Sequence, residues 1–168
     1  MTLGVAVLAL VTLQRLGELL WSRRNAAGLI AAGAVEHGAG HYPALVALHV
    51  GWLCGLWLLA WNRQPVWGWL AVYAGLQALR AWVLMTLGRR WTTRIIMPAG
   101  SELVRTGPYR FMAHPNYAVV AAEIAILPLA FGLVWYAGLF SILNAAVLAV
   151  RVRTENAALA SLVDDRAA

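Results

Sequence analysis

The chain contains no lysine and a single cysteine, Cys54, and only seven of its 168 residues are acidic. A lone thiol excludes a disulfide framework and a cysteine-based metal site. Charged residues of both signs make up 12% of the chain, against about 25% in an ordinary soluble domain. Strand–GxGxxG–helix units and Walker loops are also missing. Gly33, Gly38 and Gly40 have the wrong spacing and follow no strand, which excludes a Rossmann-type cofactor fold. What takes the place of charge is apolar: 62% of residues are hydrophobic and the mean hydropathy is +0.70. That composition belongs to a chain dissolved in lipid.

A membrane-spanning helix needs about 20 mostly apolar residues. Five candidates stand near 2–20, 42–61, 66–88, 116–133 and 134–150. The last two are short and separated by a tight break near Gly132, so they form a helical hairpin whose first arm Pro128 would kink. The first segment reads as a span and not as a signal peptide, since it lacks a basic leading region and contains Gln14, Arg15 and Glu18. The nine tryptophans lie mostly near the ends of apolar runs, the place indole rings take at a headgroup boundary. The expected fold is an all-α integral membrane protein of one domain over 1–168, with three spans in 1–88 and a polar segment, hairpin and tail in 89–168.

Arginine placement orients that bundle. Arg23 and Arg24 lie in the first connection and Arg63 in the second. Arg89, Arg90, Arg94, Arg105 and Arg110 lie in the third, and Arg151, Arg153 and Arg166 in the tail. The positive-inside rule puts the rich segments in the cytoplasm and the N-terminus outside, as expected for a bacterial inner membrane. Arginine follows the loop alternation and forms no single patch, which argues against a nucleic-acid partner.

Ionisable groups within the spans are costly and need a partner or a purpose. They are Arg15, Glu18, His49, Arg80 and Glu123. Arg15 and Glu18 are three apart and can pair locally. Glu123 is expected to pair with Arg80 or Arg151. His37, His41 and His49 with Glu36 lack the tight spacing of a metal site, so no metal is expected. His41 and His49 are candidates for lining a substrate mouth.

The segment "RRWTTRIIMPAGSELVRTGPYRFMAHPNY", residues 89–117, is rich in arginine and aromatic residues and is ordered by Pro98, Pro108 and Pro115. It runs into the fourth span at Asn116. The far arm of the hairpin ends in "VRVRTENAAL", where Arg151 and Glu155 are four apart and share a helix face. Both ends of a hairpin return to one level, so His114, Tyr117, Arg151 and Glu155 can surround one pocket. An arginine for an anion, a glutamate for an amine and aromatic rings for a flat group suit a zwitterionic, nucleoside-like ligand.

The pattern GPYrf–HPnY, then a span holding Glu123 and Pro128, then R-x-R-x-E at Arg151–Glu155, resembles the isoprenylcysteine carboxyl methyltransferase family over about 101–160. The first half looks more like that family's bacterial alkylpyrone O-methyltransferase branch. The resemblance implies S-adenosylmethionine as cofactor and a lipophilic or prenylated acceptor methylated on a carboxylate or enolic oxygen. It implies that Ser101, Glu102, Leu103 and Val104 form one cofactor wall, and that Tyr109, His114, Pro115, Asn116 and Tyr117 enclose the cofactor. Glu155 would bind the cofactor and Arg151 would orient the acceptor oxyanion, as the two catalytic candidates. The family's usual basic residue before His-Pro is here Ala113, and its second acidic residue is here Asn156. A phospholipid or quinone methyltransferase with the same pocket is the alternative enzyme, and a membrane scaffold or small transporter the alternative without chemistry.

Overall fold

The computed structural model describes residues 2–98 and 104–167, with side chains described as far as residue 160. Thr2 caps the first helix by accepting the Val5 N–H, and α1 runs Leu3–Ala31. A short strand, β1 (Val35–His37), and a 3₁₀ turn (Ala39–His41) lead into α2 (Tyr42–Ala60), which has Pro43 in its first turn. Next come α3 (Trp67–Leu87), strand β2 (Ile95–Met97) and a second 3₁₀ turn over Gly107–Arg110. The chain closes with α4 (Pro115–Ala130) and α5 (Val134–Ala167).

Among the described residues, four helical segments are long and apolar enough to cross a membrane: Leu3–Ala31, Ala39–Ala60, Trp67–Arg90 and Val134–Ala160. The fifth expected span is shorter than anticipated. Helix α4 has 16 residues, about 24 Å at 1.5 Å per residue, against a hydrocarbon core of about 30 Å. Pro128 lies in its last turn, and the helix stops two residues later where the Leu133 N–H donates to the Pro128 carbonyl at 2.9 Å and the Gly132 N–H to the Leu129 carbonyl at 3.0 Å. The turn to α5 needs Gly132, whose φ of +70° lies in the left-handed region. Two further differences concern length and class. Helix α1 continues past residue 20 to Ala31 and α5 past residue 150 to Ala167, so both stand beyond the apolar layer. The all-α expectation also missed an antiparallel pair, β1 with β2, in the register Val35↔Met97, Glu36↔Ile96 and His37↔Ile95.

Helix α4 packs against α3 on one side and α5 on the other. The main core cluster joins α4 and α5 to α1 and α2 and includes Leu8, Trp52, Leu56, Ile124, Leu127 and Tyr136. Large apolar side chains such as Leu10, Leu13, Leu58, Met85 and Ile142 point outward, as lipid-facing positions require.

Backbone satisfaction explains one polar contact in this core. Pro128 has no N–H, so the Ile124 carbonyl loses its helical partner. The buried Trp52 Nε1–H donates to that carbonyl at 3.2 Å, and Tyr136 Oη–H donates to the Trp52 carbonyl at 2.9 Å. In lipid no water could have served either acceptor. Gly55 makes this approach possible, because a Cβ there would stand 2.1 Å from Tyr136 Oη.

Candidate functional site

A cavity of about 410 Å³ runs between the helices and is lined from α1, α2, α3, the 89–98 connection, α4 and α5. It has two polar ends with apolar walls between them, Leu16, Leu45, Val46 and Leu53 among those. One end holds the expected junction cluster. The other holds charged groups from within the spans.

At the junction, Pro115 opens α4 at a position where a missing N–H costs nothing. His114 stands at the capping position, yet its side chain makes no capping bond. Its ring stacks on Tyr117 at 5.4 Å between centroids, and Nε2–H donates to Asn156 Oδ1 at 2.9 Å. Asn156, a departure from the family pattern, thus fixes His114. His114 Nδ1 faces Glu155 Oε1 at 3.8 Å, and Tyr117 donates its hydroxyl to Glu155 Oε2 in a short hydrogen bond. Glu155 Oε1 therefore accepts no hydrogen bond from the described residues and keeps lone pairs open to the cavity.

Because α5 continues unbroken across the border, Arg151 and Glu155 reach the cavity one turn apart. They do not pair with each other as the i,i+4 spacing permits. Arg151 is 4% exposed, donates from Nη2 to the Thr93 carbonyl at 2.9 Å, and lies over the Tyr117 ring at 5.6 Å. Thr93 is held in turn. Its N–H donates to Ser22 Oγ at 2.8 Å, and its hydroxyl lies 2.8 Å from Ser22 Oγ and 3.0 Å from Tyr42 Oη. Arg94, next to it, pairs with Glu36 at 3.1 Å and ties the connection to β1. Thr93 is the site residue the sequence reading missed. Its one trace was a pair of small polar residues, Thr92 and Thr93, inside an arginine-rich aromatic tract.

Of the remaining expected residues, Val104, Tyr109 and Asn116 line the cavity. Burial, with the Glu155 carboxylate adding to it, pushes the Tyr109 phenol above its ordinary value, so Tyr109 is a neutral O–H donor at physiological pH. Asn116 Oδ1 is buried with no hydrogen-bond partner among the described residues. Pro115 is buried in the first turn of α4 and does not line the cavity. Ser101, Glu102 and Leu103 lie outside the described residues. The two histidines expected at a substrate mouth separate: His49 lines the cavity, whereas His41 does not and packs over Gly38.

The far end is an ion cluster from three helices, in which Arg15 Nε–H is buried without a partner among the described residues. Glu123 accepts from Arg15 Nη2 at 2.7 Å, Arg80 Nη1 at 3.0 Å and Gln77 Nε2 at 2.8 Å. Glu18 accepts from Arg80 Nε at 2.6 Å and Nη2 at 2.5 Å, Gln14 Nε2 at 2.9 Å and Arg15 Nη1 at 3.2 Å. Two arginines balance two glutamates, so the cluster is neutral as a whole. Glu123 pairs with Arg80, one of its two expected partners, and Arg15 takes the place foreseen for Arg151.

The family model described as the isoprenylcysteine carboxyl methyltransferase (ICMT) family matches residues 69–161. A Bacillus subtilis (strain 168) protein described as "Uncharacterized protein YpbQ" is 40% identical over 158 residues, covering 91% of this chain and 94% of that protein. No solved structure matches the chain. The chain belongs to the isoprenylcysteine carboxyl methyltransferase family, and so is a membrane methyltransferase in the broad sense that family carries.

Proposed function

We propose that this protein uses S-adenosylmethionine to methylate an oxygen, an enolic hydroxyl or a carboxylate, on a lipophilic acceptor. The observation that carries the reading is the junction cluster, where an aromatic stack, an open carboxylate oxygen and a buried arginine meet in one cavity. The residues suit the cofactor. Asn116 Oδ1 is a buried acceptor without a donor among the described residues, as an exocyclic amine would require. The open oxygen of Glu155 suits an ammonium or ribose hydroxyl, and the His114–Tyr117 stack offers a face to a purine.

When bound, the cofactor supplies a sulfonium methyl: its carbon–sulfur bond breaks as the oxygen–carbon bond forms, and the electron pair stays on sulfur. The chain's part is binding, alignment and exclusion of water. Arg151, fixed by the Thr93 carbonyl, still has N–H donors for the acceptor oxyanion and favours its ionised form. A buried cation suits an oxyanion and opposes an amine acceptor, which weighs against phospholipid N-methylation. The lipid tail would lie against the apolar wall between the two ends. We place the junction at the cytoplasmic face of a bacterial inner membrane with the N-terminus outside, a reading supported by arginine in the connections and tail.

The test is turnover of labelled S-adenosylmethionine with two acceptors, N-acetyl-S-farnesylcysteine for a carboxylate and 5-pentadecylresorcinol for a hydroxyl. Arg151→Ala is expected to lower turnover by about 100-fold, as loss of one oxyanion donor does, while binding of S-adenosylhomocysteine stays within about threefold. Normal turnover in Arg151→Ala would remove Arg151 from the mechanism.

A further inference from the structure

We infer that His49 Nε2 is a second acceptor-recognition point, which selects a ring bearing two separated oxygens. The inference deepens the O-methyltransferase reading and rests on it. His49 Nδ1–H donates to the Leu45 carbonyl at 2.9 Å. That bond fixes the tautomer and leaves Nε2 with its lone pair on a ring that lines the cavity. Nε2 has no hydrogen-bond partner among the described residues.

The surrounding groups make this open position informative. Both oxygens of Glu18, and both of Glu123, already accept from Arg15, Arg80, Gln14 or Gln77. Thr12 donates its hydroxyl to the Leu8 carbonyl and accepts from Trp57 Nε1. Among the polar groups of the described residues that line this end of the cavity, His49 therefore supplies the open acceptor, and the buried Arg15 Nε–H, which has no partner among the described residues, an open donor beside it. A group that donates to Nε2 and can accept from Arg15 Nε–H suits this end, and a hydroxyl is such a group on a lipophilic ring.

Depth gives the second half of the argument. Tyr42 and Ser22 both contact Thr93, the residue that holds Arg151. His49 is seven residues along α2 from Tyr42, and Arg15 is seven residues along α1 from Ser22. At 1.5 Å per residue each step is about 10 Å, so His49 and Arg15 form one layer about 10 Å from the Arg151 layer. Two hydrogen bonds of about 2.8 Å with a six-membered ring between their oxygens cover about that span. One ring oxygen would meet Arg151, where it is methylated, while a hydroxyl across the ring donates to His49 Nε2. A carboxylate alone, with its two oxygens on one carbon, is too short to fill both layers.

The experiment is a binding titration on detergent-purified protein with two probes of equal tail, 5-pentadecylresorcinol and 3-pentadecylphenol, with and without S-adenosylhomocysteine. The wild type is expected to bind the diol about tenfold more tightly, the worth of one buried hydrogen bond. His49→Ala and His49→Asn should bring the diol down to the phenol's affinity. Affinity for the phenol and for S-adenosylhomocysteine should stay unchanged, which shows that the variants fold. Equal binding of both probes by the wild type, or a preference that survives both substitutions, overturns the inference. No diol preference in a wild type that still binds the cofactor product sinks this inference alone. Absence of cofactor-product binding in the wild type sinks the methyltransferase reading, while the titration without that product still reports on His49.

Discussion

Glu123→Ala is expected to destabilise the bundle by about 3–5 kcal/mol, the cost of breaking a buried charge pair by removing one partner. Glu123 is fully buried and accepts hydrogen bonds from three side chains on two helices other than its own. Without it, Arg15 and Arg80 share only Glu18, and a net positive charge remains in an apolar layer. Fraction of monodisperse protein in mild detergent and the midpoint of thermal unfolding read the effect. The paired variant Arg15→Leu with Glu123→Leu restores neutrality and keeps the two-bond contact between Arg80 and Glu18. It should recover at least about 1 kcal/mol relative to the sum of the single changes. A Glu123→Ala protein as stable as wild type would mean that the cluster holds nothing together.

The second large effect is on cofactor affinity. Glu155→Ala should weaken binding of S-adenosylhomocysteine by at least about 30-fold, in line with about 2–3 kcal/mol for a hydrogen bond to a charged group. Glu155→Gln, which keeps the shape and one acceptor, should lie between. The carboxylate acts here through its free oxygen, since the other is engaged by Tyr117. Thermal unfolding of Glu155→Ala without ligand should stay near that of the wild type, because the residue lies at the rim of the cavity and not in the core cluster. Unchanged affinity in a folded Glu155→Ala protein would detach the carboxylate from the cofactor.

Sequence legibility followed the strength of the physical signal. Long apolar runs with a polar junction made the helices readable, and the break at Gly132 stood out as the residue able to take a positive φ. Arg151 and Glu155 were legible because helix periodicity places i and i+4 on one face. Which partners they take was not, since that depends on how the hairpin meets the 89–98 connection. Three-residue strands such as Val35–His37 are too short to show a period, so the β1–β2 pair was missed, and Thr93 with it. The ends of α1 and α5 were placed early because hydropathy falls at the membrane border while helical hydrogen bonding continues beyond it. The intramembrane charges announced themselves by cost alone. Their meeting in one neutral cluster, with His49 Nε2 open beside it, needed three dimensions.

The measurement that bears most directly on the account is calorimetric titration of S-adenosylhomocysteine into detergent-purified wild-type protein, with His114→Ala in parallel. One-to-one binding in the micromolar range, weakened at least about tenfold by His114→Ala, is the predicted result. A monodisperse wild-type protein that takes up no S-adenosylhomocysteine would contradict it.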